Sequence, residues 1–155
     1  MINSVVISQP MYFPWIGMFE QIILTDVFIF YDDVQFSKGS FTNRVQIKTQ
    51  NGIKWLTVPL QKVNLGQNIN ETKIDNNTNW QSSQIDFLKN TYKNHKYVDD
   101  VLVIVNNVFE KNYENISQLS EFSMLEILSY FGIKKEIYHS SDLKIISSGS
   151  DRVLK

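Results

Sequence analysis

The residues able to do chemistry crowd into the first third of the chain. The segment QPMYFPWIGMF, residues 9–19, sets two prolines, a glycine and four aromatic side chains at a strand-to-helix turn. In a parallel α/β sheet such a turn lies outside the carboxyl ends of the strands, where ligands bind. Gln9 marks the bend, Tyr12 and Trp15 could stack on a base or a sugar, and Gly17 would allow close approach of backbone or ligand. A helix beginning at Pro14 would aim free backbone N–H groups at a phosphate or carboxylate. The same aromatics at helical spacing also read as core packing, with Gly17 serving the helix. Asp32 and Asp33 close the next apolar run, and Gln35 follows. A carboxylate there could grip a ribose hydroxyl, coordinate a metal as a pair, or take a proton from an amine or hydroxyl. It could equally be a solvated turn. Alternation along a strand would give a site only one of the two.

Arg44 is one of two arginines in a chain that otherwise uses lysine for positive charge, and it ends the run Lys38-Gly39-Ser40-Phe41-Thr42-Asn43-Arg44. A lone guanidinium at a strand entry suits bidentate capture of carboxylate or phosphate, or an ion pair with Asp32 or Asp33. Lys38 could add a mobile cation and Asn43 a polar contact. His95, between Asn94 and Lys96, reads as surface. His139, beside Ser140, Ser141 and Asp142, is better placed, although no nucleophile elbow surrounds either serine, which argues against a Ser-His-Asp triad.

Composition narrows the chemistry further. The chain has 155 residues, 15 basic and 16 acidic side chains, 43% hydrophobic residues and a net charge of -1. That suits one domain, residues 1–155, with a solid core, and leaves no basic face for nucleic acid. With no cysteine and two histidines there is no thiolate nucleophile and little material for a metal site, so none is expected. The Gly-x-Gly-x-x-Gly turn of dinucleotide-binding folds is missing, and the residues name no cofactor. No apolar run approaches the ~18 residues of a membrane span, and no basic segment precedes the first apolar stretch; a cytoplasmic protein that does not engage the membrane is expected.

Positioning these residues requires particular elements. SVVIS (4–8) reads as a strand stopped by Gln9-Pro10, the segment from Pro14 to Thr25 as a helix, and VFIFY (27–31) as a strand apolar on both faces. This order predicts a Rossmann-like, doubly wound α/β fold with a mostly parallel sheet. RVQIK (44–48), Asn51-Gly52 and KWLTVPL (54–60) predict an antiparallel hairpin within that sheet or on its edge. A polar, Asn-rich stretch over 61–79 reads as loop with a short strand near 72–75. Helices are expected over 80–93, 97–111 and 117–131, followed by a return strand, KKEIYHS (134–140). Ser150-Asp151 would open a last helix.

The run QPMYFPWIGMFEQI, then Asp26, then FIFYDDVQFSKGSFTNRVQIKT and WLTVPL, resembles the WbqC-like family of bacterial proteins associated with surface polysaccharides. Trp80, Tyr92, FGI (131–133) and SSDL (140–143) agree more loosely. The family pattern continues beyond Ser150-Asp151-Arg152, so the resemblance implies a chain shortened at its C-terminus. It also implies a transferase of O-antigen-type, lipopolysaccharide-related biosynthesis, passing an acyl or aminoacyl group such as glycyl to an amino sugar. A nucleotide sugar and an acyl donor would be its small-molecule partners. The alternative is a non-catalytic, ligand-binding accessory protein of the same pathway. The opening is also similar to the nucleotidylyl-transferring α/β fold, but Trp15-Ile16-Gly17-Met18 stands where that fold has His-x-Gly-His, so adenylyl transfer is not expected. On this reading Asp32 or Asp33 accepts the proton of the attacking amine, Arg44 and Lys38 clamp charge, and Gln9, Tyr12, Trp15, Gly17, Gln35 and Asn43 line the crevice.

Overall fold

A computed structural model describes residues 3–143; the expected helix after Ser150 lies outside them. The chain opens with strand β1 (Val5–Ser8), helix α1 (Ile16–Leu24) and strand β2 (Val27–Phe30). It continues with the hairpin β3 (Arg44–Thr49) and β4 (Gly52–Thr57), and a 3-10 turn at Ile69–Glu71. Three helices follow, α2 (Trp80–Tyr92), α3 (Val98–Phe109) and α4 (Ile116–Tyr130), before the return strand β5 (Glu136–His139).

The parallel sheet runs β1-β2-β5, with Ser8, Phe30 and His139 side by side in its last row. Phe28 and Phe30 point to one face, where Met18, Phe19 and Ile22 of α1 and Met124 and Leu128 of α4 close a core over them. The opposite face is not matched by a second helical layer among the described residues, since Val5, Ile7 and Tyr138 are exposed there. The sheet is therefore Rossmann-like in pairing, while the doubly wound arrangement is not seen in this part of the chain.

The hairpin departs from expectation in a way that matters for the site. β3 and β4 form their own two-stranded sheet and do not join the parallel one. Their inner residues Val45, Ile47 and Leu56 pack on Leu88 of α2 and Val105 of α3, so helices rather than strand edges satisfy the apolar face. The loop residues are Gln50 and Asn51, because Gly52 already pairs with Thr49. The Thr49 hydroxyl bonds both flanks of that turn, accepting from Asn51 N–H at 3.1 Å and donating to Gly52 C=O at 2.8 Å. Gly52 takes φ 101°, a value that favours glycine. The short strand expected near 72–75 exists only as single bridges, Leu60 with Ile74 and Lys73 with Asn115.

α4 joins the two halves. Its stripe facing the rest of the protein is polar as well as apolar: Ser117, Ser120, Glu121 and Ser123 are buried together with Leu119 and Met124. Ser120 donates to Thr42 C=O at 2.5 Å, and Ser123 accepts the Phe13 N–H at 3.0 Å. These short side chains let the helix lie close to the 11–13 and 40–43 loops and supply the partners that loop backbone needs when buried. Phe13, the residue before Pro14, adopts φ 45°. That strained conformation is held by the Ser123 bond and by edge-on packing against Tyr12 and Phe109.

Candidate functional site at the carboxyl edge of the sheet

Strand β2 ends at Phe30, so the pleat no longer governs the residues after it. Asp32 and Asp33 consequently both reach one hydroxyl: Ser140 Oγ lies 3.1 Å from Asp32 Oδ1 and 2.6 Å from Asp33 Oδ1. Ser140 is carried there by β5, whose ladder to β2 continues with Ser140 N–H donating to Phe30 C=O. Asp32 is 5% exposed and heavily partnered, accepting from Ser141 N–H at 3.1 Å, Ser141 Oγ at 2.7 Å and Asn70 Nδ2 at 3.4 Å. Such a carboxylate is built into the edge. It shapes the turn after β5 and supplies negative potential to its neighbours.

The neighbour that receives this potential is His139. Ile137 and His139 face α4, and His139 Nε2 meets Glu121 Oε2 at 2.7 Å. Glu121 is held in turn by the Ser117 hydroxyl, one helical turn earlier, and Asp142 lies 3.8 Å from Nδ1. Burial raises the Glu121 pKa, against the Ser117 and His139 hydrogen bonds that pull it down, and the Asp32 charge adds to the rise. Burial alone would lower His139, but the Glu121 hydrogen bond and the charges of Glu121, Asp32 and Asp142 outweigh it and hold the imidazole above its ordinary value. The arrangement is an imidazole of raised basicity, oriented through one nitrogen and half-open to solvent. It can hold or take up a proton at the rim of a parallel sheet.

A cavity of about 740 Å³ opens on the chain segment that follows Asp33, its wall beginning two residues on at Gln35. Gln35, Lys38 and Asn43 all line it, together with Gln61, Asn64 and Thr57. Lys38 is the one ionisable residue among the described lining residues. The amide nitrogens of Asn43 and Gln61 each donate one N–H, to Val58 C=O at 3.1 Å and Ile74 C=O at 3.3 Å, which anchors the side chains and leaves each a second N–H and an acceptor oxygen. Neutral amides, two hydroxyls and a single cation, set among apolar residues such as Phe36, Val58 and Leu60, suit a hydroxyl-rich ligand bearing an anionic group.

The other expected residues lie apart from one another. Gln9 follows β1 at the carboxyl edge, half-buried. Tyr12 is 1% exposed, and its hydroxyl is spent on Gln84 Oε1 at 2.7 Å, so it stands in the core. Trp15 is the N-cap of α1, which places the helix start after Pro14; it is 60% exposed and folds over Gly17. A Cβ at Gly17 would fall 1.7 Å from the Trp15 ring, so this glycine makes room for tryptophan. Tyr12 and Trp15 therefore do not form one wall. Arg44 makes no ion pair with Asp32 or Asp33 among the described residues. Its guanidinium bonds Gly39 C=O and lies 4.0 Å over the Trp55 ring, where Nε is buried without a partner. A Cβ on Gly39, at φ 84°, would sit 3.1 Å from Arg44 Nη2, so the two residues are fitted to each other. Glu121 was not legible as a site residue; the signal that could have found it is its position four residues after Ser117 on a helix whose periodic stripe is part serine.

No group of three or more histidine and carboxylate side chains placed to hold a metal occurs among the described residues. No helix among them is long and apolar enough to cross a membrane. A curated protein of Mycobacterium tuberculosis, the uncharacterised Rv1507c, is 33% identical over 153 residues, covering 97% of this chain. The chain spans 66% of that relative's length. No solved structure matches the chain significantly. The sequence profile of the WbqC-like protein family matches residues 9–155, and on that match, which includes the site-bearing segments described above, the chain belongs to this family.

Proposed function

We propose that the protein takes part in surface-polysaccharide biosynthesis as a transferase that passes an acyl or aminoacyl group to the amine of an amino sugar. The observation that carries this reading is the Glu121–His139 pair at the sheet edge, in a chain whose segment from Gln35 onward lines a cavity bearing neutral amides and one lysine. An amino sugar is protonated near neutral pH and must lose a proton before its nitrogen attacks an acyl carbonyl. An imidazole with raised basicity, oriented by a carboxylate, is suited to that transfer. In this arrangement His139 takes the proton, with Asp32 stabilising the imidazolium that results. The hydroxyl-rich sugar occupies the cavity, and Lys38 holds the phosphate of a nucleotide carrier. Asp33, joined to Asp32 through Ser140, stands closer to the cavity in sequence and is the second candidate base. Arg44 supports the Gly39 turn that carries Lys38.

The accessory alternative uses the same cavity for binding without chemistry. The two separate experimentally. The protein is incubated with a nucleoside-diphosphate amino sugar and either a glycyl donor or an acyl thioester, and N-acylated product is followed by mass spectrometry. Product that disappears in His139→Gln, with sugar binding retained, is the expected result. Sugar binding without product from any donor assigns the accessory role, and absence of sugar binding removes both readings.

A further inference from the structure

A second cavity of about 570 Å³ lies between the hairpin and the helices, and it differs in kind from the first. Its walls are Val45 and Leu56 of the hairpin, Leu88 of α2, Ile104 and Val105 of α3, and Phe13. The polar atoms at its back are already paired: Tyr12 Oη donates to Gln84 Oε1 at 2.7 Å, and Gln84 Nε2 donates to Thr57 C=O at 3.1 Å. The interior therefore asks nothing polar of an occupant, and walls of this kind exclude water rather than order it. Polarity is confined to one end, where Tyr97 and Tyr130 are largely exposed and Asp100 is the one charged lining residue. Desolvation and then the nearby Asp100 charge hold the Tyr130 phenol above its ordinary pKa, which places that carboxylate close to the ring's hydroxyl.

We infer that this cavity is a binding site for one hydrocarbon chain of an amphiphile whose head is uncharged or cationic and donates a hydrogen bond at the Asp100–Tyr130 mouth. The volume is within the range of small-ligand sites, and an apolar interior with few polar groups at one end is their usual composition. The single carboxylate at the mouth sets the sign: a carboxylate head would face like charge, whereas a hydroxyl or ammonium finds an acceptor. The rings of Phe13, Tyr12 and Phe109, packed edge to face at 4.8 and 6.3 Å, hold the back wall open in shape. Of the residues invoked only Thr57 also lines the first cavity, and it enters here solely through its backbone C=O, so this inference does not rest on the transferase reading.

The test is calorimetric titration of the intact chain with n-alkanols, n-alkylamines and n-alkanoates of six to ten carbons, below their micelle concentrations. Alkanols and alkylamines should bind about fourfold tighter per added methylene until the cavity is full, as ~0.8 kcal/mol per CH₂ implies. Alkanoates of equal length should bind at least tenfold more weakly, and Asp100→Asn should remove most of that gap. Val101→Trp places a large ring at the half-exposed mouth and should abolish binding, with circular dichroism and melting temperature retained; Val101→Thr, which adds no bulk, should leave binding intact and controls for loss of fold. A phosphatidylcholine vesicle arm distinguishes the source: soluble chains bound without vesicle association assign a free amphiphile, and extraction of lipid from vesicles assigns a membrane lipid. No binding, affinity independent of chain length, or equal binding by Val101→Trp overturns the inference. So does sedimentation showing that a second copy, with no chain bound, covers the mouth.

Discussion

The carboxyl edge of the parallel sheet and the cavity lined from Gln35 onward are built on opposite principles. At the edge, charged groups satisfy one another: Asp32 accepts from two serines and Asn70, and Glu121 is gripped by His139 and Ser117. In the cavity, polar groups are anchored by one atom and left open by another, as Asn43 and Gln61 are. The first arrangement sets the protonation of one imidazole, and the second offers acceptors to a ligand. The mutually bonded cluster and the loosely filled hollow thus differ in kind, and Val34 is the one chain link between Asp33 of the first and Gln35 of the second.

That division is open to attack at several points. The largest effect is expected at His139: His139→Gln should lower turnover by 10²- to 10⁴-fold while leaving sugar affinity within about twofold. A fall in affinity with turnover intact would reverse the roles of the two regions. Asp32→Ala comes next. It strips acceptors from the Ser141 N–H and two hydroxyls in a buried turn and should cost about 3 kcal/mol in urea unfolding. A loss below ~1 kcal/mol would mean that the edge does not depend on its mutual bonding.

The pH dependence is more specific. His139 has a raised folded pKa, so folding favours its protonated form. Its contribution to stability is complete below the unfolded value of about 6.5 and is lost as pH rises through the folded value. The melting-temperature difference between the wild type and His139→Gln should therefore be widest near pH 5.5 and narrow toward pH 9. Turnover, which needs the free base, should rise over the same interval, and Glu121→Gln should move that rise to lower pH. A constant difference and an unmoved profile would disconnect Glu121 from the imidazole. Smallest is Lys38→Ala, expected to weaken a phosphate-bearing sugar about tenfold and leave stability unchanged because the side chain is exposed. Equal binding would show that the cavity reads the sugar and not its phosphate.

Much of the scaffold is visible in local pattern. Val5–Ser8 and Val27–Phe30 are short apolar runs, and the segment between them repeats at helical spacing, so strand-helix-strand follows from burial alone. The three later helices emerge from the same periodicity within a residue or two. The hairpin is equally plain, but not its docking. Whether Val45, Ile47 and Leu56 meet a strand edge or a helix depends on partners 30 to 60 residues away. At the site, the pairing of Asp32 and Asp33 through Ser140 joins residues 107 and 108 positions apart. Arg44 shows the limit from the other side. Its rarity suggests a carboxylate or phosphate partner, whereas in the fold its guanidinium meets a glycine carbonyl and an indole ring.

Sequence by itself therefore determined the element order, the parallel pairing and the family, because backbone propensity and hydrophobic period act over a few residues and leave a readable trace. Tertiary structure alone decided which polar groups meet. The serine-rich face of α4 draws Glu121 to His139, and the end of β2 frees two adjacent aspartates to share one hydroxyl. The physical reason is one of range: a side chain's protonation depends on charges and burial within a few ångströms of space, and the chain brings those together only after distant segments have packed.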